Sequence, residues 1–285
     1  MDTAQDLAGW IGRETLAHDV VTPGPVRGLL ATIASTDIEP AAGSAAPILA
    51  HWLYFLPYAP LADVGPDGHP KRGGFMPPIP LPRRMWAGSR LEFLKPLRVG
   101  AAVTRRSVIG DVKEKSGRTG ALVFVRVDHE VSDEAGVVLR DSHDIVFRDL
   151  PPPEAPASPP PPPTPAPENP QWARQVDPDP VLLFRYSALT FNGHRIHYDQ
   201  PYVTQVEGYP GLIVHGPLLA TLLVHELTTR HPGAALATFT FRAVKPVFDT
   251  APFFVCGSLE ADGQARLFIR DAAGALCMDA AATLR

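Results

Sequence analysis

The sequence predicts an α+β protein of two related halves, each a helix followed by an antiparallel sheet that wraps it. Three observations carry that expectation. A short pattern recurs, Leu91-Glu-Phe-Leu-Lys-Pro-Leu97 and Phe241-Arg-Ala-Val-Lys-Pro-Val247, each ending a strand-like run in Lys-Pro with more strand-like runs after it. An apolar helical stretch precedes both sets of strands, and such a helix must bury its apolar face against the sheet. Between the halves, residues 151–170 hold twelve of the chain's 33 prolines. Proline fixes φ and lacks an N–H, so this segment should run as extended polyproline II, neither helix nor paired strand. It reads as a spacer in preference to an SH3-type ligand. The expected division is therefore residues 1–150, a linker at 151–170, and residues 171–285.

The first half opens with Ala8–Thr15, a short helix by pattern. Thr22 can cap a second helix over 23–34, with prolines near its first turn. Pro47–Leu56 is apolar almost all round and should be buried; it reads as a helix, although periodicity does not separate that from a core strand. Residues 57–84, rich in Gly and Pro and ending in Arg83-Arg84, read as a long loop, and loops of that length are usually functional. Strand-like runs follow at 90–94, 103–109, 121–131 and 137–147. Gly100, 115–120 and 133–136 separate them, so neighbours should pair as antiparallel hairpins.

In the second half, Pro217–Arg230 is the clearest helix of the chain. Proline occupies its first turn, leucines 218, 219, 222 and 223 make a wide apolar face, and His231-Pro-Gly233 stops it. Strands are expected at 237–244, 253–260, 265–271 and 276–284, with turns at Asp262-Gly263 and Ala273-Gly274.

Composition excludes several classes. A formal charge of −4 gives no bulk attraction to nucleic acid or anionic membrane. No apolar run reaches the ~20 residues of a membrane span. The start, Met-Asp-Thr-Ala-Gln-Asp, is acidic where a signal peptide would be basic and then apolar. The two cysteines, Cys256 and Cys277, both lie in apolar strand-like runs, which suits buried reduced thiols of a cytoplasmic protein.

The polar residues able to move protons crowd into Tyr186–Asp199. Asn192, His194, His197 and Asp199 fall within eight positions, and His215-Gly216 stands just before the second-half helix. The histidines lack cysteine or carboxylate partners at metal spacing, so no metal site is expected. Phe191-Asn192-Gly-His-Arg-Ile-His197-Tyr-Asp199, with Val214-His215-Gly216 following, resembles the MaoC-type hydratase/dehydratase signature: Gly-Asp-x-Asn-Pro-x-His, then His-Gly at a hotdog helix. Ser187–Asp199 and Gly74–Gly88 are similar to the 3-methylfumaryl-CoA (mesaconyl-CoA) hydratase and 3-hydroxyacyl-thioester dehydratase branch of that superfamily.

The resemblance implies a tandem hotdog fold and an acyl-CoA hydro-lyase. Its substrate would be an α,β-unsaturated CoA thioester, with a short branched dicarboxylic enoyl-CoA such as mesaconyl-CoA as first choice. The alternatives are a 3-hydroxyacyl-thioester dehydratase of longer chains, a hotdog thioesterase using Glu226, or a non-catalytic acyl-thioester-binding module. The resemblance implies no cofactor, and a homodimer is compatible with it.

Carried over residue by residue, His197 takes the place of the catalytic histidine and Gly216 that of the glycine whose N–H binds the thioester oxygen. Asn192 stands where the family usually has aspartate. An amide cannot act as base and can only orient water by hydrogen bonds. Hydration needs a base for water, a proton for Cα and a donor to an enolate-like oxygen, and an imidazole can take and return a proton near neutral pH. His197 would then serve alone or be oriented by Asp199. His194, Arg195, His215 and Asp199 are candidates for substrate contact, though Asp199 suits a capping role and His215 the turn before Gly216. Arg83 and Arg84 are candidates for a CoA phosphate or a substrate carboxylate. The corresponding first-half stretch, Leu30–Ile38, has no histidine, so that half is expected to bind substrate or CoA without catalysing.

Overall fold

The computed structural model describes residues 7–33, 39–117, 120–149 and 162–285. Along the chain come β1 (Glu14–Val20), α1 (Pro23–Thr32), β2 (Arg83–Phe93), β3 (Ala102–Gly117), β4 (Gly120–Asp133) and β5 (Gly136–Arg148). They are followed by β6 (Trp172–Val176), α2 (Pro180–Leu189), α3 (Gln200–Gln205), α4 (Gly216–Arg230), β7 (Leu236–Ala243), β8 (Phe253–Leu259), β9 (Gln264–Asp271) and β10 (Leu276–Leu284). All ten strands form one antiparallel sheet in the order β1-β3-β4-β5-β2-β7-β10-β9-β8-β6. That order is a palindrome of equivalent strands about the β2–β7 seam, where Gly88 to Glu92 pair with Arg242 to Thr238. The tandem hotdog implied by the motif is the fold observed.

The strands form where apolar residues alternate. In β2, Leu91 and Phe93 are buried while Arg90 and Glu92 are exposed, the period of two that a one-sided sheet requires. Helix α4 is enclosed, with every residue from Leu218 to Val224 buried, and it packs on β7, β8, β9 and β2. Its buried leucines are worth roughly 1.5–3 kcal/mol each against an exposed state. No helix among the described residues is long and apolar enough to cross a membrane. Cys256 and Cys277 are buried free thiols.

Several elements depart from the sequence reading. Leu7–Trp10 is a 3-10 turn, and Glu14–Val20 is an edge strand paired to β3, not part of a helix. Pro47–Leu56 forms a single 3-10 turn, Ala50–Leu53, flanked by left-handed Leu49 (φ 69°) and Phe55 (φ 56°). Pro57 and Pro60 follow, and proline within the next turns removes the donors a longer helix would need. The bridge Ala45–Arg98 answers the bridge Ile213–Phe248, so this turn occupies the place that α4 holds in the second half. Among the described residues the first half therefore has no central helix. Arg83 and Arg84 open β2 and do not belong to the preceding loop. The end of the linker also pairs: Thr164 O accepts from Leu276 N and Ala166 N donates to Gly274 O, so the residues flanking Pro165 make bonds that it cannot. Residues 34–38 of the Leu30–Ile38 stretch, residue 150 and residues 151–161 of the linker lie outside the described residues.

A buried polar cluster pins the turn that replaces the helix. Asp141 Oδ2 on β5 accepts from Trp52 Nε1 at 2.8 Å and pairs with His51 Nε2 at 3.1 Å and His143 Nε2 at 2.7 Å. Burial works to raise this carboxyl, but His143 and His51 overcome it and hold it well below the usual range. His143 in turn packs at a tilt against Trp86 of β2, centroids 4.1 Å apart, and Trp52 meets Trp86 edge-on at 5.0 Å.

Candidate active site

The motif residues are set by the turn that ends α2. Phe191 adopts a left-handed conformation (φ 48°), and Asn192 N returns to Ser187 O at 2.8 Å. Asn192 Oδ1 then accepts from His194 N at 3.0 Å, an Asx turn that starts the 3-10 turn Arg195–His197. The first half lies directly on this turn. Arg195 N donates to Asp67 O at 2.9 Å, and left-handed Gly68 (φ 90°) packs so closely on the Gly193 carbonyl that no Cβ would fit.

His197 is 8% exposed. Its Nδ1 lies 2.7 Å from Ile213 O, and a carbonyl only accepts, so Nδ1 carries the proton and Nε2 the lone pair. Nε2 has no hydrogen-bond partner among the described residues. Burial lowers the imidazole, against the raising effect of the Ile213 carbonyl, to about 4. His197 is thus a neutral base at ordinary pH. Its ring stacks on His215, centroids 3.7 Å apart and 18° from parallel. His215, 1% exposed, is held by Ser187 Oγ at 2.8 Å from its Nε2, and burial keeps it well below its ordinary pKa.

His215 is also the N-cap residue of α4, so the stack places His197 beside the helix N-terminus. The first bond of the helix runs from Leu219 N to His215 O, which leaves the Gly216 N–H without a protein acceptor among the described residues. Nothing in the protein demands glycine there. Its φ is not positive, and an added Cβ would meet only Trp86 O, at 3.9 Å. The Gly216 N–H therefore lies free at the positive end of the helix dipole, where an acceptor atom would be favoured.

Other sequence candidates are spent elsewhere. Asp199 caps α3 through Tyr202 N at 3.0 Å and binds Arg195 at 2.8 Å, so the group orienting His197 is the Ile213 carbonyl. Arg195 is used by Asp199, by Pro66 O at 3.0 Å and by the Tyr202 ring. Arg83 pairs with Glu207 at 3.3 Å and lies over Tyr209. His194 sits edge-on to His197 at 5.6 Å, and burial and its histidine neighbours push it down to about 2.

The sequence reading missed Asp67 and His69, although the length of their loop was the signal that it works. His69 Nδ1 is 3.1 Å from Asp67 Oδ2 and its ring faces His194 at 4.1 Å. Asp67, His69 and His194 present ligand atoms within 4.8 Å of one another, the one grouping among the described residues with metal-like spacing. The positive charges of Arg72 and Arg84 act on it, which disfavours a dication. A separate groove of about 800 Å³, lined by Arg90, Phe124, Arg242 and Ala280 among others, lies on the sheet and contains none of these residues.

Comparison with known proteins identifies the family and the fold. Residues 49–249 match the family model for hydroxyacyl-thioester dehydratase type 2. The chain is 46% identical over 254 residues to mesaconyl-C(4)-CoA hydratase of Chloroflexus aurantiacus, covering 88% of each. Among solved structures it is similar to a MaoC-like dehydratase from Phytophthora capsici, with a TM-score of 0.69, 17% identity and 100% and 99% of the two chains covered. It is also similar to a Mycobacterium tuberculosis protein described as a double hotdog, with a TM-score of 0.58, 13% identity and 96% of each chain covered.

Proposed function

This chain belongs to the hydroxyacyl-thioester dehydratase type 2 family, and from that premise we propose that it reversibly hydrates a short branched dicarboxylic enoyl-CoA, with 3-methylfumaryl-CoA (mesaconyl-C(4)-CoA) as substrate. The observation that carries the reading is the neutral, buried His197 with its Nε2 free, stacked beside a helix N-terminus whose first N–H has no partner. Nε2 takes a proton from water as hydroxide adds to the β-carbon. The Gly216 N–H and the α4 dipole stabilise the enolate-like thioester oxygen, and His197 returns the proton to the α-carbon. Asn192 spends Oδ1 on His194 N, which leaves its amide N–H groups to hold the water by donating to its oxygen. Residues 1–150, which lack the motif, supply the wall facing this site.

Thioester hydrolysis fits less well. Glu226, the carboxylate on α4, is bound by Arg174 at 2.6 Å and by Arg230 at 2.7 Å, far along the helix from Gly216. Loss of enoyl-thioester absorbance with 3-methylfumaryl-CoA and crotonyl-CoA, without release of free thiol, is the expected result. His197→Ala is expected to lower turnover by ~10²–10⁴-fold. Wild-type turnover in that variant would refute the mechanism, and thiol release would point to a hydrolase.

A further inference from the structure

We propose that Arg84 sets acyl specificity, its guanidinium receiving the free carboxylate of a dicarboxylic enoyl thioester directly beside the carbon that takes up hydroxide; this rests on the hydratase reading above. The arginines near the site are not equivalent. Arg83 is paired with Glu207, and Arg195 with Asp199. Arg72 donates to the carbonyls of Ile79, Leu81 and Pro82. Arg84 has no hydrogen bond or ion pair among the described residues, yet it is partly buried, and its burial works against its own charge. A cation withdrawn from water without a partner is costly, so such a group marks the seat of an anion.

Its placement selects which anion. Adjacent strand residues point to opposite faces, so Arg83 and Arg84 diverge, while Arg84 shares its face with Trp86 two positions on. The Trp86 carbonyl faces Gly216. The charge of Arg84 acts on His69 and His194, whose rings are 4.1 Å apart, and His194 meets His197. All three imidazoles are kept neutral by burial, and Asp67 is already hydrogen-bonded to His69. With Arg72 and Arg84 counted against Asp67, the surplus is one positive charge near the base. A CoA phosphate is separated from the reacting carbon by the whole pantetheine arm, whereas a carboxylate on the β-carbon is one bond from it.

The chemistry gives that contact a role in rate as well as in binding. Hydroxide must add to a carbon that bears a negative carboxylate, and a guanidinium bound to that carboxylate offsets the repulsion as the bond forms.

The test compares wild type with Arg84→Gln and Arg84→Lys on 3-methylfumaryl-CoA and crotonyl-CoA, alongside the equilibrium affinities of succinyl-CoA and butyryl-CoA. In Arg84→Gln, the ratio of kcat/KM for the dicarboxylic over the monocarboxylic substrate is expected to fall by about 100-fold or more. The preference for succinyl-CoA over butyryl-CoA should fall with it, and Arg84→Lys should recover part of both. An unchanged ratio, or parallel losses on both substrates, overturns the assignment. Wild-type hydration of 3-methylfumaryl-CoA with an unmoved ratio in the variant would sink this inference alone. An Arg84-dependent preference for succinyl-CoA without any hydration would sink the hydratase reading and leave the carboxylate seat standing.

Discussion

Consider Gly216→Ala, which adds one methyl group at the first residue of α4. The backbone there is not left-handed, and the new Cβ would stand 3.9 Å from Trp86 O, an ordinary contact. Without strain in the folded state, Gly→Ala stabilises by about 0.4–1 kcal/mol, chiefly by restricting the unfolded chain. For a chain of this size that raises Tm by roughly 1–4 °C. On the proposed mechanism, the same methyl group would crowd the thioester oxygen as it approaches the Gly216 N–H. Loss of one oxyanion donor costs ~10²–10³ in kcat. Stability and activity are therefore expected to move in opposite directions, a pairing that neither a packing role nor a general folding defect produces. Calorimetric melting and enoyl-CoA absorbance on the same preparation read both. Turnover within threefold of wild type would show that no backbone approach occurs at Gly216. A fall in Tm would show that the glycine serves packing, and either result refutes the reasoning.

Two further outcomes follow from the same geometry. His197 titrates at about 4, so its Nε2 stays deprotonated as the pH falls and protonates only near that value. By the ordinary pKa of ~6.5 an imidazole would lose about tenfold in its neutral fraction between pH 7.5 and 5.5; kcat/KM is instead expected to stay flat across that interval. An acid limb near 6.5 in the wild type would contradict the burial argument, and Asn192→Asp should move the limb upward because a nearby carboxylate favours the imidazolium. Arg83→Met removes the cation paired with Glu207, leaving its carboxylate only the Tyr202 hydroxyl, and should cost roughly 1–3 kcal/mol of stability in a denaturant titration. A change in the substrate ratio of that variant would mean that the two arginines have been assigned the wrong way round.

Much of the sheet was legible because its signals are local. Alternation in β2 and β4, the turns at Asp133–Gly136 and Asp262-Gly263, and the Lys-Pro repeat each reside within a few residues. The candidate motif was legible for the same reason, since Asn192 and His197 lie on successive tight turns. The apolar run at Pro47–Leu56 was misread because its burial is tertiary: Ala50, His51 and Leu53 are buried without helix periodicity, and left-handed Leu49 leaves no mark in composition. The contrast between Arg83 and Arg84 was likewise invisible. The two residues are chemically identical in sequence, and their difference lies in Glu207, which is 124 positions away from Arg83. The stack of His197 on His215 and the free Gly216 N–H needed the fold to bring two turns together.

The asymmetry of the two halves has a physical logic. On the proposed reading, only the second half has to hold the reacting residues, which leaves the first free to diverge. The second half keeps the enclosed α4 and the His197 turn. In the first half the Ala50–Leu53 turn, pinned by the Asp141 cluster, stands where the helix would be, and the Asp67–His69 loop is laid on the His194–His197 turn. Trp86 precedes the β2–β7 seam, where the strand ladder fixes Gly88 to Glu92 relative to the second half. A specificity residue gains most from such a position. On the proposal above, Arg84, opposite Phe147 on a hydrogen-bonded strand, would bring its guanidinium on a rigid element, while the turn that carries His197 is tied to α2 and the start of α4 by the Ser187–His215 bond and the His197–His215 stack.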